Sequence, residues 1–136
     1  MLVYAHRRDA DRHAEYRGWL EQVMNADQPY GVADLVLSGF LRIVTHPKVF
    51  KQPTPLPRAV AFCVALRSRP NASLLSPGER HWQIFTELCS EVGARGNLVP
   101  DAYLAAIAIE TDSDWITTDR DYWRFSRLRA RHPLDA

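Results

Sequence analysis

Four aspartates stand where carboxylates do chemistry. Asp119 directly follows a predicted strand over residues 115–118, and in open α/β sheets the carboxyl ends of strands are where sites gather. Asp121 is two residues further on. Asp101 opens a predicted buried helix just behind Pro100, and Asp34 opens another in the same way. A hard cation such as Mg2+ or Mn2+ takes several oxygen ligands, and carboxylates at the ends of elements supply them without burying unpaired charge. Each aspartate also has a plainer reading. Asp34 and Asp101 stand where aspartate caps a helix and complements its dipole, and Asp119 with Asp121 also fits an ordinary turn after a strand.

Other chemistries find less support. The five histidines, His6, His13, His46, His81 and His132, show no paired metal spacing, so surface or core packing is the expectation for them. Ser38 lies on an apolar helix without a nucleophile elbow, and the glycines around Gly31 and Gly39 form no dinucleotide fingerprint. Cys63 and Cys89 each fall on the apolar face of a predicted helix without C-x-x-C spacing, which reads as two buried thiols in a reducing compartment. Trp123 and Phe125, interleaved with Arg124 and Arg127, either stack on bases or pack the terminal segment.

The elements that must position these residues follow from periodicity. Apolar spacings of three and four predict an amphipathic helix over residues 11–24, with Tyr16, Trp19, Leu20 and Val23 inward. A short strand at 30–33 leads into a buried helix at 35–45, stopped by His46-Pro47 because a residue before proline avoids the helical region. After Pro53 and Pro55, Pro57 opens a helix to about residue 69, with Val60, Ala61, Val64 and Ala65 on its inner face. A strand at 71–75 and a turn at 76–78 precede a helix at 79–92 that presents Trp82, Phe85, Leu88, Cys89 and Val92 inward and ends at Gly93. The helix over 102–110 leaves so little polar face that it must be central, and a last short strand is expected at 128–131. Strands alternating with helices at this spacing imply an α/β fold, a parallel sheet between layers of helix.

With 136 residues, 46% of them hydrophobic, the chain suits a single domain with a real core. No apolar stretch approaches the ~20 residues that span a bilayer, and charge arrives at His6-Arg7-Arg8 before a signal-peptide core can form, so no membrane partner and a cytoplasmic location are expected. The net charge of +1 is uninformative, but its distribution is not. Between Asp34 and Glu79 there is no carboxylate, while Arg42, Lys48, Lys51, Arg58, Arg67 and Arg69 all lie there. From Asp101 to Asp121 the balance inverts, with only Arg120 among six acids. Such a layout suits an acidic, cation-holding pocket inside a basic surround, as a metal-dependent enzyme acting on a polyanion needs; ordinary solvated surface is the alternative.

Residues 97–108, NLVPDAYLAAIA, followed by 115–122, WITTDRDY, closely resemble the C-terminal half of VapC-type PIN-domain toxins, in which an aspartate opens a small-residue helix and a T-x-D-x-D-[FY] segment follows the next strand. LVYAHR at 2–7 is similar to the first helix of the family, and DLVLSGFLRIVTHP at 34–47 resembles the segment ending in its R-[IV]-x-x-x-P pattern. The resemblance covers nearly the whole chain. Two departures stand out. Met1 falls after the place of the family's first strand and its D-x-N-x-L aspartate, which implies a misassigned start or a shortened chain. The family's glutamate on the second helix aligns near Leu37, so its role passes to Asp34, one turn earlier on the same face.

The resemblance implies one PIN domain over 1–136, an α/β/α sandwich that forms homodimers, and a toxin with divalent-metal-dependent endoribonuclease activity leaving 5′-phosphate and 3′-hydroxyl ends. It implies Asp34, Asp101 and Asp119 as catalytic residues holding Mg2+ or Mn2+, with Asp121 in support and Thr117 orienting through its hydroxyl. Arg42, Lys48 and Arg120 would position the RNA backbone, and a VapB-like antitoxin would be the protein partner. The rival readings are a non-catalytic PIN-like module that only binds RNA or antitoxin, and a metal-dependent phosphatase or DNA nuclease on a related scaffold.

Overall fold

The computed structural model describes residues 1–135. Contacts divide the chain into two compact units, one from Met1 to Leu74 and one from Leu75 onward.

In the first unit, α1 (Leu2–His6) and α2 (His13–Asn25) pack together through the Tyr4 and Tyr16 rings, whose centroids are 5.2 Å apart. The short strand β1 (Tyr30–Ala33) runs straight into α3 (Asp34–Val44), and α4 (Leu56–Arg67) packs on α3. Leu37, Phe40 and Val44 of α3 recur at helical spacing and are buried. Phe40 stacks on Phe62 at 4.9 Å, and the His6 ring closes the cluster against both. The Thr45 hydroxyl donates to the Leu41 carbonyl at 2.7 Å where α3 ends, just ahead of His46-Pro47. The strand β2 (Ala72–Leu75) pairs with β1.

The second unit is built on α5 (His81–Val92) against α6 (Leu98–Glu110). Ala102, Ala105 and Ala106 are fully buried, and small side chains there let the helices approach closely while Ile84 and Leu88 fill the seam. Gly93 ends α5 in the left-handed region, with the Ala94 N–H returning to the Cys89 carbonyl at 2.9 Å. Asp112, at φ 52°, turns α6 in the same way. Its carboxylate and that of Asp114 accept from Arg129 at 2.8 and 2.6 Å, which fastens the turn leading into β3 (Trp115–Ile116). β3 pairs in parallel with β4 (Ala130–Arg131), Trp115 opposite Ala130, and a 3-10 helix (Arg120–Arg124) crosses between them. Phe125 and Leu128 drop into the core from this crossover.

The order of elements and the α/β class agree with the sequence expectation; β1 has the expected bounds and the three later strands are shorter. The predicted face of α4 and one residue of the α5 face need correction. On α4 the buried residues are Ala59, Cys63 and Leu66, while Val60 and Val64 are exposed. On α5 Leu88 is buried and Phe85, Cys89 and Val92 pack against the core as expected, with His81 and Ile84 beside them, whereas Trp82 is 69% exposed. The buried His81 ring is bonded through Nε2 to the Tyr103 carbonyl at 2.8 Å, a polar contact that hydrophobicity cannot foresee. Among the described residues no helix is long and apolar enough to cross a membrane.

Candidate metal centre

Asp101 lies in the first turn of α6, behind Leu98, Val99 and Pro100, and the N-cap position is held by Asn97. Asp101 is therefore not the capping residue, and it complements the helix dipole as the acid of the first turn. Its carboxylate projects beside buried alanines and accepts a hydrogen bond from the Tyr122 hydroxyl. Asp119 sits where the chain leaves β3 and caps the 3-10 helix, its Oδ1 accepting the Asp121 N–H at 3.0 Å. The Asp119 N–H in turn donates to Thr117 Oγ1 at 3.1 Å, and Thr117 is buried, its own N–H held by the Arg131 carbonyl at 2.9 Å. The turn reading and the ligand reading of Asp119 thus coexist: the turn is what aims the second carboxylate oxygen away from the backbone.

These positions bring Asp101, Asp119 and Asp121 together, with one carboxylate oxygen from each lying within 4.8 Å of the others. Asp101 is half-buried and the other two are exposed. Burial pushes the Asp101 carboxyl above the usual carboxylate range, the Tyr122 bond draws it back, and the charges of Asp119 and Asp121 push it up further. The Tyr122 phenol is raised by its own burial and then by the Asp101 charge. Three converging anions with oxygen donors alone fit a hard divalent cation and offer nothing to a soft one.

The remaining sequence candidates are not part of this trio. Asp34 is the first residue of α3 in the first unit, exposed, with Oδ1 accepting from Arg67 Nε at 3.1 Å. Arg42 is exposed in the last turn of α3, Lys48 is exposed in the turn that follows, and Arg120 is exposed at the start of the 3-10 helix. Phe125 packs the core, whereas Trp123 remains 47% exposed. The residue that sequence reasoning passed over is Tyr122. It was visible as the aromatic end of T-x-D-x-D-[FY], but nothing in the spacing said that its hydroxyl reaches back to Asp101.

Residues 1–130 match the PIN domain, and the chain is 51% identical over 135 residues to VapC ribonuclease Mb2897 of Mycobacterium bovis, covering 99% of this chain and 92% of that protein. The chain belongs to the PIN-domain family, in its VapC branch. A more distant VapC-branch relative is ribonuclease VapC25 of Mycobacterium tuberculosis, 39% identical over 133 residues, which are 98% of this chain and 94% of that one. Among solved structures, VapBC2 from Rickettsia felis, bound to a DNA fragment from its promoter, superposes with a TM-score of 0.68 at 19% identity. That match covers 96% of this chain and 91% of the other and confirms the PIN fold.

Proposed function

We propose that this chain is the toxin of a toxin–antitoxin pair, an endoribonuclease that works with Mg2+ or Mn2+. The observation that carries the proposal is the trio of carboxylate oxygens within 4.8 Å of one another, on a chain 51% identical to a protein named a VapC ribonuclease. Asp101, Asp119 and Asp121 hold the cation. When bound, it supplies charge neutralisation at the scissile phosphate and lowers the pKa of a nearby water. The chain's own residues do the rest. Tyr122 fixes the Asp101 carboxylate through its hydrogen bond, and Thr117 fixes Asp119 by accepting its N–H. Exposed Arg120, Arg42 and Lys48 attract and position the phosphate backbone without reading bases.

Asp34 is retained as a further ligand on the family resemblance alone, and it must leave Arg67 to serve. The match over residues 1–130 supports reading both units as one PIN domain. A VapB-like antitoxin and a homodimer complete the proposal.

The test is cleavage of purified total RNA by the full chain with Mn2+, with EDTA, and with Asp101→Asn. Cleavage that both EDTA and the substitution stop is the expected result. RNA affinity that persists in EDTA with no cleavage under any condition would instead favour a non-catalytic binding module.

A further inference from the structure

Away from the carboxylates, the first unit carries an open-sided recess of about 360 Å3 between the end of α1 and the start of α4, lined by His6, Arg7, Arg8, Asp9, Thr54 and Arg58 among others. Its floor is fixed. Arg7 Nη1 donates to the Gln52 carbonyl at 2.7 Å and to Thr54 Oγ1 at 3.3 Å, and its guanidinium lies 4.0 Å over the Phe50 ring. Thr54 is buried, and its hydroxyl also meets His6 Nε2 at 3.2 Å. Arg7 is answered by Asp9 at 2.6 Å, but Arg8 and Arg58 make no ion pair among the described residues. Three guanidinium groups thus meet a single carboxylate. The surplus is felt by the ring beside it: burial first, then Arg58, Arg7 and His13, hold the His6 imidazole below its ordinary value.

We infer that this recess binds a backbone phosphate of single-stranded RNA, with Arg8 and Arg58 as the charged ligands above a floor made by Arg7, Thr54 and His6. Unpaired guanidinium groups over a fixed polar floor suit the two non-bridging oxygens of a backbone phosphate, which planar N–H forks can bind bidentately. An open side lets a strand pass through, and Arg7 covers the Phe50 ring, so no bare aromatic face is offered to a base. Contact of this kind holds RNA in place without selecting sequence. The inference takes the identity of the polyanion from the ribonuclease reading but needs none of its cleavage chemistry.

The experiment measures binding of a 5′-hydroxyl uridine oligonucleotide to the full chain in EDTA, across a salt series. The variants are the double variant R8A with R58A and, as an exposed charge-matched control at α2, Arg12→Ala with Arg17→Ala. The double variant is expected to lose about tenfold in affinity and to flatten the dependence of log affinity on log salt by about 0.7, the contribution of one single-strand phosphate contact. The control should stay within about twofold. Inorganic phosphate should compete and should move the His6 ring resonances toward the protonated form. A 5′-phosphorylated oligonucleotide that binds no tighter identifies a backbone phosphodiester, and one that binds tighter only while Arg58 is present identifies a terminal phosphate. The inference is overturned if the double variant binds as well as the parent, if the charge-matched control loses as much, or if polyglutamate displaces the RNA as effectively as phosphate. Failure of cleavage alongside Arg58-dependent binding would sink only the ribonuclease reading.

Discussion

The phenol of Tyr122 donates its hydrogen to the carboxylate of Asp101, so the half-buried member of the acidic cluster is tied to a ring that itself sits in the core. Tyr122 is 6% exposed and packs beside Trp115 at 5.2 Å and Phe125 at 6.3 Å. The position of a charged ligand is thus inherited from hydrophobic packing.

Tyr122→Phe keeps the ring and removes the donor. The hydrogen bond is the one influence that holds the Asp101 carboxyl down against burial and its two anionic neighbours. Without it the carboxyl titrates at higher pH, and a ligand must be deprotonated to hold a cation. The acid limb of the cleavage–pH profile should therefore move upward, with the rate at high pH within a few-fold of the parent. Folding stability should fall by about 1 kcal/mol, a typical net value for one buried hydrogen bond. An unmoved acid limb would show that the bond does not bear on ligand charge.

Asp101→Asn should stabilise the protein while ending its activity. A carboxyl whose folded pKa lies above its unfolded one contributes stability that is present below its ordinary value and is lost as pH rises through the folded pKa. At neutral pH the charge is therefore a burden, and asparagine keeps an acceptor for Tyr122 without it. We expect Tm at pH 7 in EDTA to rise by on the order of a few degrees, the range usual for neutralising a functional group. Added Mn2+ should raise Tm of the parent and leave the variant unchanged. Thermal melts with and without the metal decide both points.

How much of this was legible beforehand varies by residue. The aspartates were found because strand ends and helix starts are local features, and the D-x-D spacing after β3 survives any uncertainty about tertiary structure. The Asp101–Tyr122 bond joins residues that lie far apart in the chain, and no local pattern encodes it. Trp82 is a similar case. Apolar periodicity puts it inward, whereas its ring is exposed and the neighbouring His81 is buried, bonded to the Tyr103 carbonyl on the next helix, a contact no local pattern encodes. The strand expected over residues 115–118 is likewise shortened to two residues in β3, because a ladder ends where its partner ends.

Arg67→Ala separates two roles for Asp34. Their ion pair is exposed on both sides, with side chains 40% and 75% accessible, so its loss should change stability by less than about 0.5 kcal/mol. If Asp34 is also a metal ligand, freeing it from Arg67 should leave Mn2+ affinity equal or tighter, and Asp34→Asn should weaken it. Calorimetric titration of Mn2+ into the three proteins reads this directly. Equal affinity in all three would remove Asp34 from the ligand set.

Glu110 offers a test that is independent of function. It lies at the C-terminal end of α6, and its carboxylate accepts the N–H groups of Gly78 at 2.7 Å and Arg80 at 2.9 Å, which fastens the turn before α5. The approach is so close that a Cβ on residue 78 would stand 2.6 Å from Glu110 Oε2 and would push the carboxylate aside. The bond to Gly78 first, and then that to Arg80, hold the Glu110 carboxyl below its ordinary value despite opposing desolvation. A carboxyl lowered in this way contributes stability above its unfolded pKa and loses it as pH falls through the folded one. Glu110→Ala should therefore lower Tm at pH 7 and have a smaller effect at acid pH, where the parent has already lost the interaction. Amide hydrogen exchange supplies the local readout: in the variant the Gly78 and Arg80 amides should exchange faster, while those of Leu88 and Ala105, in the α5–α6 seam, should slow or quicken only with global stability. Gly78→Ala should produce the same pattern in weaker form, because the flexible end of Glu110 can shift aside but then loses its bond geometry. Protection of Gly78 and Arg80 that is unchanged by Glu110→Ala would mean that the turn is held by other contacts and that the carboxylate follows it rather than fastens it.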